Sequence, residues 1–329
     1  MNQNRPLNGV NRRESLSQIL GAGLILGGAA AACALPATAD AASPSLASLA
    51  AAKGMRFGTA IGIGNGAFHD PKMREILIRE CNIIVPENEL KMYVTHNTGP
   101  EGYNFAPADE MLTWATDNHM AMRGHNLIWA RDEFTPEWLK KYDFGDKPAV
   151  KAEAMIRDYI AKVCAHYGDK LTSWDVVNEA VNPQTGEIRS SVFTRILGPD
   201  ALRIAYQATR EHLPKTQLVY NDYMSWESGN ETHRAGVLNI LNWLRKNNCP
   251  IDALGVQSHI GNGFGLSAGQ PKEWKIFLDE ATGMGYDLLI TEFDVDDQTI
   301  PTADIKERDK QVAATARQYL DQMLDYKQC

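Results

Sequence analysis

Two glutamates stand where strand-like runs end. Asn178-Glu179 closes the run Trp174-Asp175-Val176-Val177, and Glu292 closes Leu289-Ile290-Thr291. If both carboxyl groups face one cleft, they can divide a task. One arrives protonated and donates to a leaving oxygen, while the other is ionised and attacks an anomeric carbon, which is the chemistry of glycoside hydrolysis. A separation of about 5 to 5.5 Å gives retention of configuration and about 6.5 to 9.5 Å gives inversion; the sequence leaves that choice open. Alone, such a glutamate is as readily a helix cap or an ion-pair partner. These two are accompanied by indoles, which suit the apolar face of a sugar ring, and by amides, imidazoles and a lysine, which suit its hydroxyls.

The elements that must position them follow a rhythm. Strand-length apolar runs recur at Arg56 to Ile61, Ile83 to Pro86, Ala121 to Trp129, Leu171 to Val177, Gln217 to Tyr220, Ala253 to Gln257 and Leu288 to Thr291. Each is followed by helix-like sequence, as at Ala149 to His166, where Ala152, Met155, Ile156, Tyr159, Ile160 and Val163 recur at helical spacing. Such alternation implies parallel strands with helical crossovers. Polar residues gather at the ends of six runs: Glu87-Asn88-Glu89, His125-Asn126 with Trp129, Asp175 with Asn178-Glu179, Asn221-Asp222-Tyr223, Gln257 with His259, and Glu292 with Asp294. An open doubly wound sheet would concentrate its ligand groups at one switch point, whereas an eight-stranded barrel gathers strand ends on one face. The expected fold is therefore α/β, a (β/α)8 TIM-type barrel.

Other patterns carry less. Gly62-Ile63-Gly64-Asn65-Gly66-Ala67 matches a dinucleotide fingerprint formally, but His69-Asp70-Pro71 follows as a loop leading into a later helix, so no cofactor is expected. Asp294, Asp296 and Asp297 lack the spaced ligands of a calcium loop and read as a solvated acidic loop, and the eight histidines form no metal-binding motif. No metal is expected. A net charge of −8 without a long basic run disfavours nucleic acid and leaves a neutral polymer acceptable.

Arg12-Arg13, an apolar stretch from Ile19 to Leu35 and Ala37-Thr38-Ala39 have the order of a twin-arginine export signal with its cleavage site. Residues 1–39 are thus expected to be a signal peptide and 40–329 the catalytic barrel, exported to the periplasm or beyond with Asp40 as its first residue. A lipoprotein signal ending at Cys33 is the competing reading. After the leader no run is long and apolar enough to span a membrane, and a monomer is expected. Cys81, Cys164, Cys249 and Cys329 form no zinc pattern and are expected mainly as buried thiols.

Taken in order, Phe57-Gly58, Glu87-Asn88-Glu89-Leu90-Lys91, Arg123-Gly124-His125-Asn126-Leu127-Ile128-Trp129, Trp174 to Ala180, Tyr220-Asn221-Asp222-Tyr223, Gly255-Val256-Gln257-Ser258-His259 and Thr291-Glu292-Phe293-Asp294-Val295 resemble glycoside hydrolase family 10, the endo-1,4-β-xylanases. The resemblance implies a retaining double displacement on xylan or xylo-oligosaccharides. Glu179 would be the acid/base and Glu292 the nucleophile, with Asn178 on the 2-hydroxyl of the reacting sugar and His259 orienting Glu292. It also implies that Glu87, Asn88, Lys91, His125, Trp129 and Gln257 line sugar subsites on the non-reducing side. Ala130-Arg131-Asp132 stand where the family usually has a His, a small residue and a Gln, so contacts there differ. The seventh unit's helix, about Lys306 to Tyr326, is followed only by Lys327-Gln328-Cys329, so the barrel is expected to be incomplete, truncated before its eighth strand with about seven βα units, poorly stable and weakly active. Two other functions stay open: another β-1,4-glycanase acting on cellulose or mixed-linkage glucan, and a degenerate, non-catalytic carbohydrate-binding protein.

Overall fold

A computed structural model of the chain describes residues 43–261, 269–298, 300 and 303–329; the expected leader lies outside the described residues. The strands are β1 (Gly58–Ile61), β2 (Ile83–Pro86), β3 (Ala121–Met122), β4 (Gly124–Trp129), β5 (Ser173–Asn178), β6 (Gln217–Asp222), β7 (Ala253–Val256), β8 (His259–Ile260), β9 (Asp287–Ile290) and β10 (Asp294–Val295). All named pairings are parallel, in the orders β1-β2-β3, β4-β5-β6-β7-β9 and β8 with β10. Only Arg123 separates β3 from β4, and along the main wall the strands follow chain order, with β9 beside β7 while the short β8 pairs apart with β10. That order has no point at which the winding reverses, as a doubly wound sheet would require.

Helices cover the outside: α1 (Leu46–Ala51), α2 (Pro71–Glu80), α3 (Met92–Thr95), α4 (Ala106–Asp117), α5 (Glu137–Lys140), α6 (Pro148–Tyr167), α7 (Val192–Leu197), α8 (Asp200–His212), α9 (Glu231–Lys246), α10 (Pro271–Gly283) and α11 (Ile305–Leu324). The longer ones obey their local chemistry. In α6, Pro148 occupies the first turn, where its missing N–H costs nothing, and Gly168 ends the helix at φ 55°. Ala152, Ile156, Tyr159, Ile160, Val163 and Cys164 form its buried stripe, at the spacing the sequence suggested. The glycine-rich segment after β1 starts no α-helix, only a single 3-10 turn (Ala67–His69). Instead α2 begins at Pro71, with the Asp70 carboxylate accepting from the Lys72 and Met73 amides.

The core fills the wall and the space beneath the helices. Trp174, Trp274, Tyr206, Tyr220 and Phe277 are almost wholly buried, and β5 is buried along its whole length, as a strand inside an α/β fold must be. Cys81 and Cys164 lie within the core, where burial pushes the Cys164 thiol up to about 12; Cys249 is half-buried.

One architectural expectation needs correction. A barrel cut off after seven units should leave the flank of β9 bare, but the chain beyond α11 turns back onto it. The Leu288 N–H donates to the Gln328 carbonyl at 2.9 Å, and Tyr326 and Cys329 pack against the core. The Tyr326 hydroxyl donates to the Asp279 carboxylate on α10 at 2.7 Å. Backbone groups and a phenol make this closure, and an apolar-run count cannot see it.

Candidate active site

Parallel register aligns the strand ends. Trp129 pairs with Asn178, Asn178 with Asn221, and Asn221 with Gly255. Glu179 follows directly at the mouth in a left-handed backbone conformation, φ 54°, which a side chain bearing a Cβ rarely adopts. The N–H of Glu179 donates to Asn221 O at 2.9 Å, which ties this turn to β6.

The Glu179 carboxylate is buried and accepts three hydrogen bonds. Oε1 accepts from Asn178 Nδ2 at 3.3 Å and Gln257 Nε2 at 3.2 Å, and Oε2 accepts from Arg131 Nη1 at 3.1 Å. Glu292 is gripped on both oxygens: Asn221 Nδ2 donates to Oε1 at 2.9 Å, and His259 Nε2 lies 3.3 Å from Oε2. Burial works to raise its pKa, but the hydrogen bond from His259, the nearby His125 and His259 rings and the Asn221 amide outweigh it and hold the carboxyl at about 2. His259 shows the complement. Burial opposes its charge, yet hydrogen bonds to Asp294 (Nδ1 to Oδ2, 2.6 Å) and Glu292 lift it to about 10, so Asp294, His259 and Glu292 form a chain of alternating charge.

Beside the glutamates, Asn178 Oδ1 accepts from Asn221 Nδ2 at 2.9 Å and Gln257 Nε2 at 3.3 Å. These bonds turn its amide hydrogens toward Glu179. His125 is held through Nδ1 by Asp175 at 2.8 Å, and the other oxygen of Asp175 accepts from Arg123 at 2.5 Å. The Lys91 ammonium is buried, which lowers its pKa; Glu292, Glu179, Glu87 and Glu89 oppose that shift and place it among the carboxylates. Lys91 also lies 3.5 Å from Asn88 Oδ1, which accepts from the Tyr93 hydroxyl at 2.6 Å.

Glu87 and Trp129 have contacts of their own. Glu87 is exposed at the rim and accepts from Asn65 Nδ2 at 3.1 Å. Trp129 stacks face to face on Phe134, with centroids 3.8 Å apart and planes 6° apart, while the Lys91 ammonium stands 4.4 Å from the indole centroid. A stacked ring and a cation that close must occupy opposite faces. The indole therefore seats Lys91, and neither face is open to a sugar in this arrangement.

The match to known proteins decides the family. A family model described as glycosyl hydrolase family 10 matches residues 45–329. The chain belongs to glycosyl hydrolase family 10. It is 33% identical over 211 residues to endo-1,4-beta-xylanase A of Thermotoga maritima, covering 62% of this chain and 19% of that protein. It is 33% identical over 264 residues to endo-1,4-beta-xylanase 3 of Hypocrea jecorina, covering 80% of this chain and 71% of that protein. The chain thus spans only about a fifth of the length of the first relative. The solved structure of xylanase 10B from Thermotoga petrophila in complex with xylobiose aligns at a TM-score of 0.74 and 28% identity, over 86% of this chain and 83% of that one. This coverage overturns the expected truncation before the eighth strand: the family 10 fold here aligns with complete (β/α)8 barrels over most of its length, and is not a seven-unit remnant.

Three site residues escaped the sequence reading. In the sequence Asn221 is visible only as part of a polar strand end, Arg131 only as a departure from the family pattern, and Asp294 only as a polar strand-end neighbour of Glu292 that also fits a solvated acidic loop. Each acts through a partner distant in sequence, at 71 residues for Asn221 with Glu292, 48 for Arg131 with Glu179 and 35 for Asp294 with His259.

Proposed function

We propose that the chain is a retaining endo-1,4-β-xylanase. In the first step Glu292, held ionised, attacks the anomeric carbon of the bound xylosyl unit as Glu179 gives its proton to the departing glycosidic oxygen; the carbon–oxygen bond breaks and a glycosyl ester on Glu292 forms. In the second step Glu179, now a carboxylate, takes a proton from water. The resulting oxygen nucleophile displaces Glu292 and restores both residues. Asn178 is assigned to the 2-hydroxyl of the reacting sugar, and Lys91, Asn88, His125 and Gln257 to the hydroxyls on the non-reducing side. Glu87 would reach a sugar only at the rim, and Trp129 would act by seating Lys91.

The observation that carries this reading is the shared carboxamide bridge. Asn221 donates to Glu292 and to Asn178, and Asn178 donates to Glu179, so both carboxyl groups lie within reach of one pair of small side chains. That closeness suits direct covalent attack and leaves little room for the intervening water of an inverting enzyme. The relatives named as xylanases favour xylan over glucan.

Azide tests both roles. Glu292→Ala supplied with azide and an activated xylobioside is expected to give the α-glycosyl azide, and Glu179→Ala the β-product. Swapped anomers would sink the assignment. Faster release of reducing sugar from carboxymethylcellulose than from xylan would replace the substrate and keep the chemistry.

A further inference from the structure

We propose that Asn221 is a positioning residue that fixes the attacking plane of Glu292 and the orientation of Asn178 together, an inference resting on the glycosidase reading above. Asn221 is fully buried on β6. Its Nδ2 donates to Glu292 Oε1 and to Asn178 Oδ1, each at 2.9 Å, which uses both amide hydrogens. Its Oδ1 accepts from the Thr291 hydroxyl at 2.7 Å. Reversing the carboxamide would turn its oxygen toward two acceptors, so Thr291 and the two acceptors together allow one orientation.

The neighbouring strand makes room for it. Gly255 is the register partner of Asn221, and a Cβ at Gly255 would come within 2.4 Å of Asn221 Oδ1. Residues of β6, β7 and the segment after β9 therefore converge on the placement of one side chain. The consequence for Glu292 is mechanical as well as electrostatic. With His259 on Oε2 and Asn221 on Oε1, the carboxylate has a donor on each oxygen and cannot rotate without losing one. The same amide holds Asn178 so that its own hydrogens face Glu179.

The test uses a dinitrophenyl β-xylobioside, whose leaving group needs no proton from Glu179, so the rate reports attack by Glu292. In Asn221→Ala, kcat/KM is expected to fall by about 10²-fold, as for a misplaced reacting group, mostly through kcat. The acidic limb of its pH profile should move upward, because Glu292 loses a donor to its charged form. Thr291→Val keeps the volume and removes only the hydroxyl that orients the carboxamide; about a tenfold loss with the same direction of pH shift is expected. If Asn221→Ala does not fold, Thr291→Val decides. A folded variant with unchanged kcat/KM and an unchanged acidic limb overturns the inference while leaving the glycosidase reading standing. An unmodified protein that releases no dinitrophenol overturns that reading, and this inference with it.

Discussion

His259 keeps its proton well above neutrality because Asp294 grips Nδ1 while Glu292 lies against Nε2. The raised pKa of about 10, against an ordinary 6.5, means that the stability it contributes is fully present below about 6.5 and is lost as pH rises through about 10. Glu292, depressed to about 2 from 4.5, contributes above about 4.5 and loses that contribution as pH falls through about 2. The two shifts share the His259–Glu292 contact, although Asp294 is the larger cause of the rise at His259, so they mark a pH window and do not add. In Asp294→Asn, His259 is expected to titrate near neutrality; following its imidazole resonances by NMR across neutral and mildly alkaline pH checks this. A ring that stays protonated there would show that Glu292 alone suffices. The sequence disclosed the side chains able to do chemistry because their types stand out at strand ends. It did not disclose Asp294, whose carboxylate is more than half exposed and matches any solvated aspartate in pattern.

The strands that deliver these side chains are tightly registered. A Cβ at Gly124 on β4 would fall 2.2 Å from the Trp174 ring on β5, and this indole is fully buried. Gly124→Ala must therefore push Trp174 or separate the strands, and is expected to cost about 1–3 kcal/mol, as overpacking does. Urea denaturation measures it, and a midpoint equal to that of the unmodified protein would mean that the indole moves freely. The strand run from Leu171 to Val177 is readable from Leu171, Trp174, Val176 and Val177, which are apolar and buried, although Thr172, Ser173 and Asp175 interrupt it. The run Ala121 to Trp129 read as one strand, but it breaks at Arg123, whose guanidinium turns to Ser173 and Asp175. Register also shifts between His125 and Ile128, and between Asp175 and Val177. Such breaks come from pairing between distant segments, which a one-chain hydrophobic period does not contain.

Counting apolar runs gives the barrel its correct kind and misjudges its end, since the segment from Tyr326 to Cys329 meets β9 and α10 through hydrogen bonds and packs two isolated side chains on the core, neither of which forms a run. Net charge, by contrast, is readable from composition and has a consequence no single residue determines. At −8, the molecule repels a polyanion at distances where individual pairs are indistinct, and a neutral polymer feels little of that field. Near Glu179 the balance differs. Arg131 and Arg189 both act on Glu133 and Tyr223, but Arg131 is already paired with Glu133 and Glu179, and Arg189, bonded to the neutral Tyr223 hydroxyl, adds a single positive charge against a net −8. The long-range repulsion should therefore dominate encounter. With neutral xylan, kcat/KM is expected to change by less than about twofold as salt rises, because there is little field to screen. With carboxymethylated xylan of matched length it should start lower and climb as the Debye length falls below about 10 Å near 0.1 M salt. The comparison also weighs the two arginines. A carboxylated polymer cleaved faster than the neutral one at low salt, and slowed by added salt, would mean that Arg131 and Arg189 outweigh the charge of the whole molecule.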